Sequence, residues 1–169
     1  MQAGAYFVTI CTKDRECFFG DMEDGEMRVN EYGRIADESW SWLSRQYDYV
    51  EMDEWVVMPN HLHGILVIHC RGGSRTAPTE TTNRKSLGRL IGAFKTVSTK
   101  QINDIRNTPG HPIWQRNYYE HIIRGEEELH RIRRYITENP LKWADDEDHP
   151  GNIIRRGEVS SPSPVAIIP

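Results

Sequence analysis

The chain has 169 residues, with 21 Lys+Arg against 25 Asp+Glu, seven histidines and a formal net charge of −4. That length reads as one domain, and no apolar run approaches the roughly 20 residues that a membrane-spanning helix needs. Three cysteines without framework spacing exclude a disulfide scaffold, and no charged-then-apolar leader precedes the first strand pattern, so the chain reads as cytoplasmic with free thiols.

In chain order, Tyr6-Phe7-Val8-Thr9-Ile10-Cys11-Thr12 is β-branched and aromatic, the composition of a central strand. Phe18-Phe19-Gly20-Asp21 and the acidic stretch to Glu26 read as a loop with a short strand pair, its second arm near Met27 to Val29. A helix is expected over Tyr32 to Tyr47, where Ile35, Trp40, Leu43 and Tyr47 mark an apolar stripe. Residues 50–69 are two β-branched runs broken by Pro59-Asn60, a turn signal, and predict a hairpin.

Residues 70–86 have almost no apolar content and read as a flexible insert. Ser86 then offers an N-cap to a helix through about Ile105, with Leu87, Leu90, Ile91, Phe94, Val97 and Ile102 at helical spacing. Ile113 to Ile123 predicts a last strand. Gly125 ends it, Glu126, Glu127 and Glu128 suit a helix N-terminus, and that helix runs to Asn139 before Pro140 stops it. From Asp145 on, the chain is acidic and then Ser/Pro-rich, the signature of a loosely held tail. The expected organisation is one folded domain over 1–144 and a tail over 145–169. Its class is α+β: a ferredoxin-like, RRM-like β-α-β-β-α-β antiparallel sheet with an added C-terminal helix.

Charge is distributed unevenly along this order. Residues 1–70 are net −8, residues 71–135 net +7 and residues 136–169 net −3. Local field, not total charge, sets attraction for phosphate, so the basic middle is either a nucleic-acid surface or a solvated helix face.

Strand alternation puts His61 and His63 on one face of the hairpin and Leu62 on the other. Such a pair is either two satisfied polar groups at a core edge or half of a metal site. No thiolate or further histidine stands nearby at zinc-site spacing. An open site for a catalytic divalent cation therefore fits better than a closed structural zinc. On the last helix Leu129, Ile132 and Ile136 form the apolar stripe, and Tyr135 lies at its flank with Asn139 one turn on. Tyr135 reads either as a packing residue with its hydroxyl in water or as a nucleophile that needs help to ionise. Tyr118 and Tyr119 stay open as alternative nucleophiles or base-stacking platforms; Trp114 reads as core.

Four stretches carry a resemblance: Gly4-Ala5-Tyr6-Phe7-Val8-Thr9-Ile10-Cys11-Thr12, Val57-Met58-Pro59-Asn60-His61-Leu62-His63-Gly64-Ile65, Ile113-Trp114-Gln115-Arg116-Asn117-Tyr118-Tyr119-Glu120-His121 and Tyr135-Ile136-Thr137-Glu138-Asn139-Pro140. In this order they resemble the HUH single-tyrosine transposases, nearest to the REP-associated branch. The resemblance implies a Mg2+ or Mn2+ ion held by His61, His63 and Asn139, with Tyr135 as the nucleophile. It further implies cleavage and rejoining of single-stranded or hairpin DNA through a 5′-phosphotyrosine. Phosphate contacts are then expected from Arg71, Arg75, Arg84, Lys85, Arg89, Lys95, Arg116, Arg131 and Arg134. Monomer and homodimer both remain open. Two other classes compete: a DNA-binding descendant without turnover, and a metal hydrolase that uses water in place of tyrosine.

Overall fold

The computed structural model describes residues 3–69 and 84–152. Six strands and three longer helices are β1 (Gly4–Cys11), β2 (Gly20–Glu23), β3 (Glu26–Val29), α1 (Glu31–Gln46), β4 (Val50–Val57), β5 (His61–Ile68), α2 (Leu87–Arg106), β6 (Tyr119–Ile123) and α3 (Glu126–Glu138). The main sheet has the order β4-β5-β1-β6 with every neighbour antiparallel, and β2-β3 is a separate ribbon. This is the expected ferredoxin-like sheet. Among the described residues no helix is long and apolar enough to cross a membrane.

Two faces of the sheet carry different jobs. Tyr6, Val8 and Ile10 of β1 and Leu62 and Leu66 of β5 point into the larger core with α1 and α2. Phe7 and Ile65 point the other way, under Ile132 and Ile136 of α3. Period-two alternation places His61 and His63 on this second face. Gly64, on the face of Leu62 and Leu66, is needed for close approach, because a Cβ there would lie 2.8 Å from Trp40 Cζ2 on α1.

The helices begin and end for local reasons. Asn30 caps α1 by accepting from the amides of Tyr32 and Gly33, worth about 1 kcal/mol. Tyr47, expected as the last helical residue, is extended and follows the helix end. Ser86 does sit at the N-cap of α2, but its side chain makes no cap bond; its carbonyl accepts from Arg89 and Leu90 instead. A register shift between Met52 and Trp55 bends β4. There Asp53 takes a two-point ion pair from Arg133, at 2.9 and 2.6 Å, which ties α3 to the sheet.

The last strand is shorter than Ile113 to Ile123. Only Tyr119–Ile123 pairs continuously, with an isolated bridge between Thr12 and Trp114. Two contacts divert the rest. Trp114 turns into the α1/α2 core and donates to Ser98 Oγ at 2.9 Å, and Lys95 Nζ gathers the carbonyls of Gln115, Arg116 and Asn117. The stretch read as a loose tail from Asp145 is also corrected in its first part. Between 145 and 152, Asp148 is 8% exposed and Asn152 half-buried, while Asp145 and Gly151 are exposed.

Candidate active site

His61 and His63 enter the site from the start of strand β5, with ring centroids 4.4 Å apart. Both are fully buried. Burial holds each ring neutral: His61 is pushed down to about 3, with Arg15 adding repulsion, and His63 falls well below the usual histidine range through burial and the neighbouring His61. Neutral imidazole is the form that ligates metal.

The tautomer of His61 follows from its neighbour. Asn60 uses its amide nitrogen on the carbonyls of Arg15 (3.0 Å) and Asp148 (2.7 Å), so its oxygen faces His61 Nδ1 at 2.9 Å. An amide oxygen can only accept, so Nδ1 carries the proton and Nε2 keeps a lone pair. That Nε2 is buried without a hydrogen-bond partner. His63 is oriented through Nδ1 by Thr9 Oγ1 at 2.9 Å, the residue opposite it in the β1–β5 register, and Phe7 stacks on its ring at 5.5 Å.

From α3, the Tyr135 hydroxyl reaches to 3.3 Å from His63 Nε2, and its ring meets Phe7 edge-on at 6.0 Å. Burial and the carboxylates of Asp146, Glu147 and Asp148 raise the phenol above its ordinary range, while Asn139 works in the opposite direction. At rest Tyr135 is a phenol. Asn139 caps α3; its Nδ2 donates to Asp146 Oδ2 at 3.2 Å and its Oδ1 is buried with no partner.

These donors fit a divalent cation. His61 Nε2 and Asn139 Oδ1 are orphaned ligand atoms in a buried place, where an unmet polar atom costs about 1–3 kcal/mol. A ring nitrogen from each of His61 and His63 and an oxygen of Asp146 all lie within 4.8 Å of one another. Imidazole donors suit first-row divalent ions, and the oxygen donors beside them admit Mg2+ or Mn2+ with open positions.

The four residues singled out in the sequence, His61, His63, Tyr135 and Asn139, thus converge. The basic candidates do not all remain free for DNA. Arg71 and Arg75 lie outside the described residues. Arg84 stacks over Tyr49 and donates to the His69 carbonyl, and Lys85 donates to the Tyr47 hydroxyl. Lys95 Nζ donates to three loop carbonyls. Arg89, Arg116, Arg131 and Arg134 are exposed. Sequence reasoning missed Thr9, Asn60, Asp146 and Asp148. Asn60 looked like a turn residue and Asp145-Asp146-Glu147-Asp148 like a solvated acidic run; strand alternation alone could have placed Thr9 beside Phe7 on the α3 face.

The fold is similar to that of a solved REP-associated tyrosine transposase bound to a REP hairpin, which superposes with a TM-score of 0.57 at 19% identity, over 84% of this chain and 69% of that one. No family model matches the sequence. An uncharacterized protein of Haemophilus influenzae is 35% identical over 153 residues, covering 85% of this chain and 84% of its own length. The chain belongs to the same family as that Haemophilus protein.

Proposed function

We propose that this protein is a metal-dependent DNA strand transferase in which Tyr135 attacks a phosphodiester of single-stranded, hairpin-associated DNA, and in which His61, His63 and Asn139 hold Mg2+ or Mn2+. The observation that carries this reading is the convergence of a half-buried phenol, 3.3 Å from His63 Nε2, with two buried ligand atoms that have no partner. The matching transposase was solved with a REP hairpin, which supports hairpin DNA as the substrate class.

When bound, the cation would neutralise charge on the phosphate oxygens and favour phenolate over phenol. The chain itself supplies position. Phe7 and the α3 packing fix the Tyr135 ring, and the Arg133–Asp53 pair fixes the helix that carries it. Attack forms a bond from Tyr135 Oη to phosphorus and breaks the bond to the 3′ oxygen. The phenol loses a proton and the 3′ oxygen gains one. One phosphodiester is exchanged for another, so the 3′-hydroxyl of a second strand can reverse the step without ATP. Phosphate contacts are assigned to Arg131 and Arg134, a reading supported by their exposure and by their position about one turn or less from Tyr135 on α3.

The test is covalent trapping on a hairpin oligonucleotide with a single-stranded flank in Mn2+. Wild type should form an adduct on Tyr135. Tyr135→Phe should lose it while binding stays within a few fold. An adduct persisting in the Phe variant moves the nucleophile to Tyr118 or Tyr119, and an adduct unaffected by chelator removes the metal from the reaction.

A further inference from the structure

We infer that Asp146 is a further ligand of the cation, carried into the site by the chain that follows α3; the inference rests on the metal reading proposed above. An Asp146 oxygen and the ring nitrogens of His61 and His63 are mutually within 4.8 Å. Its carboxylate is also aimed. Oδ2 accepts from Asn139 Nδ2 at 3.2 Å and Oδ1 from the Asp148 amide at 2.7 Å, leaving a lone pair on each oxygen.

The segment that delivers it is clasped to the same elements that deliver the histidines. Asp148 Oδ1 is 2.9 Å from Arg15 Nε, its Oδ2 receives Cys11 Sγ at 3.6 Å, and its carbonyl accepts from Asn60 Nδ2. Asn152 Nδ2 donates to the carbonyls of Ala144 and Asp146, and Trp143 lies 5.9 Å from the His61 ring. Asn60 therefore joins this clasp directly to His61. A passing tail would have no reason for these anchors.

Charge argues the same way. Two neutral imidazoles and an amide form an uncharged shell, and Asp146 makes it singly negative. Its negative charge stands near the half-buried Tyr135 phenol and opposes its ionisation, a repulsion that a cation held between them would offset. With one, an oxygen anion selects hard ions such as Mg2+ and Mn2+ over softer ones. Asn139 then has two tasks, orienting Asp146 through Nδ2 and presenting Oδ1.

Mn2+ affinity of the full chain, measured by calorimetry without DNA, tests this apart from activity. His61→Ala should abolish binding, as the underlying reading requires. Asp146→Asn, which keeps shape and an acceptor, should weaken binding at least ~10-fold, a scale that even outer hydrogen-bond partners of ligands reach. Asp145→Asn removes the same charge one residue away, at an exposed side chain, and should change affinity less than about twofold, since exposed charges are screened. Equal weakening by both variants would mean a diffuse field and overturn the assignment, as would an Asp146→Asn protein that binds like wild type while His61→Ala does not. Wild type that binds no Mn2+ would overturn the metal reading together with this inference. A second measurement avoids variants: on Mg2+ titration, the Asp146 carboxyl 13C resonance should shift in step with the His61 and His63 ring nitrogens. Shifted histidines with an unmoved Asp146 would leave the clasp purely structural.

Discussion

Replacing Gly64 with Ala should destabilise the protein by a predictable amount, because the space for the new methyl is already occupied. Its Cβ would stand 2.8 Å from Trp40 Cζ2, 2.9 Å from Cε2 and 3.0 Å from Nε1, where a relaxed carbon contact needs about 3.5–4.0 Å. Trp40 cannot retreat easily, being fully buried and edge-on to Phe94 at 5.3 Å. Overpacking of this kind costs about 1–3 kcal/mol, and loss of glycine's unfolded-state freedom returns about 0.4–1, leaving a net cost of about 1–2 kcal/mol. For a chain of this size that lowers Tm by about 2–8 °C. The assay is a double-mutant cycle in thermal or urea unfolding. Trp40→Phe removes the colliding part of the ring, so the double variant should be more stable than the sum of the two single losses by at least ~0.5 kcal/mol. Additive losses would refute the argument, because the two side chains would then not be competing for one space.

Arg133→Ala should cost about 1 kcal/mol at neutral pH, a figure discounted for the part-exposed arginine. Arg133 holds the Asp53 carboxyl below its ordinary range, so this contribution is present above pH 3.8 and is lost as pH falls through the lowered native value; urea unfolding of the two proteins should converge in acid, and a gap that persists there would contradict the pairing. Burial lowers Lys95 to about 8, so its linked stability is present above its unfolded value near 10.5 and is lost as pH falls through about 8; an NMR titration of its side chain should show that midpoint, and one near 10.5 would mean the loop carbonyls leave it in water. In competition at moderate salt, a hairpin with a single-stranded flank should outcompete the same strand fully paired, because bases stack only when unpaired. Equal affinity would leave a generic basic surface as the better account.

Much of this molecule was legible in one dimension. The β-branched runs, the period of two in His61-Leu62-His63 and the apolar stripes of α1, α2 and α3 depend on near neighbours in the chain, so pattern alone gave the class of sheet and put both histidines on one face. Tyr135 and Asn139 were readable as neighbours because four residues is about one helical turn. What the sequence could not decide were contacts closed over long separations. The loop carbonyls of Gln115 and Asn117 that Lys95 meets lie 20 and 22 residues away, and the strand expected from Ile113 begins only at Tyr119 because Trp114 has a core to enter. Asp148, 88 residues from Asn60 and 137 from Cys11, looked like part of an acidic, solvated tail. Nothing local marks such a residue. Its burial depends on Asn60, Arg15 and Cys11 meeting at one end of the sheet, and only the folded chain brings their hydrogen bonds and charges close enough to hold a carboxylate there.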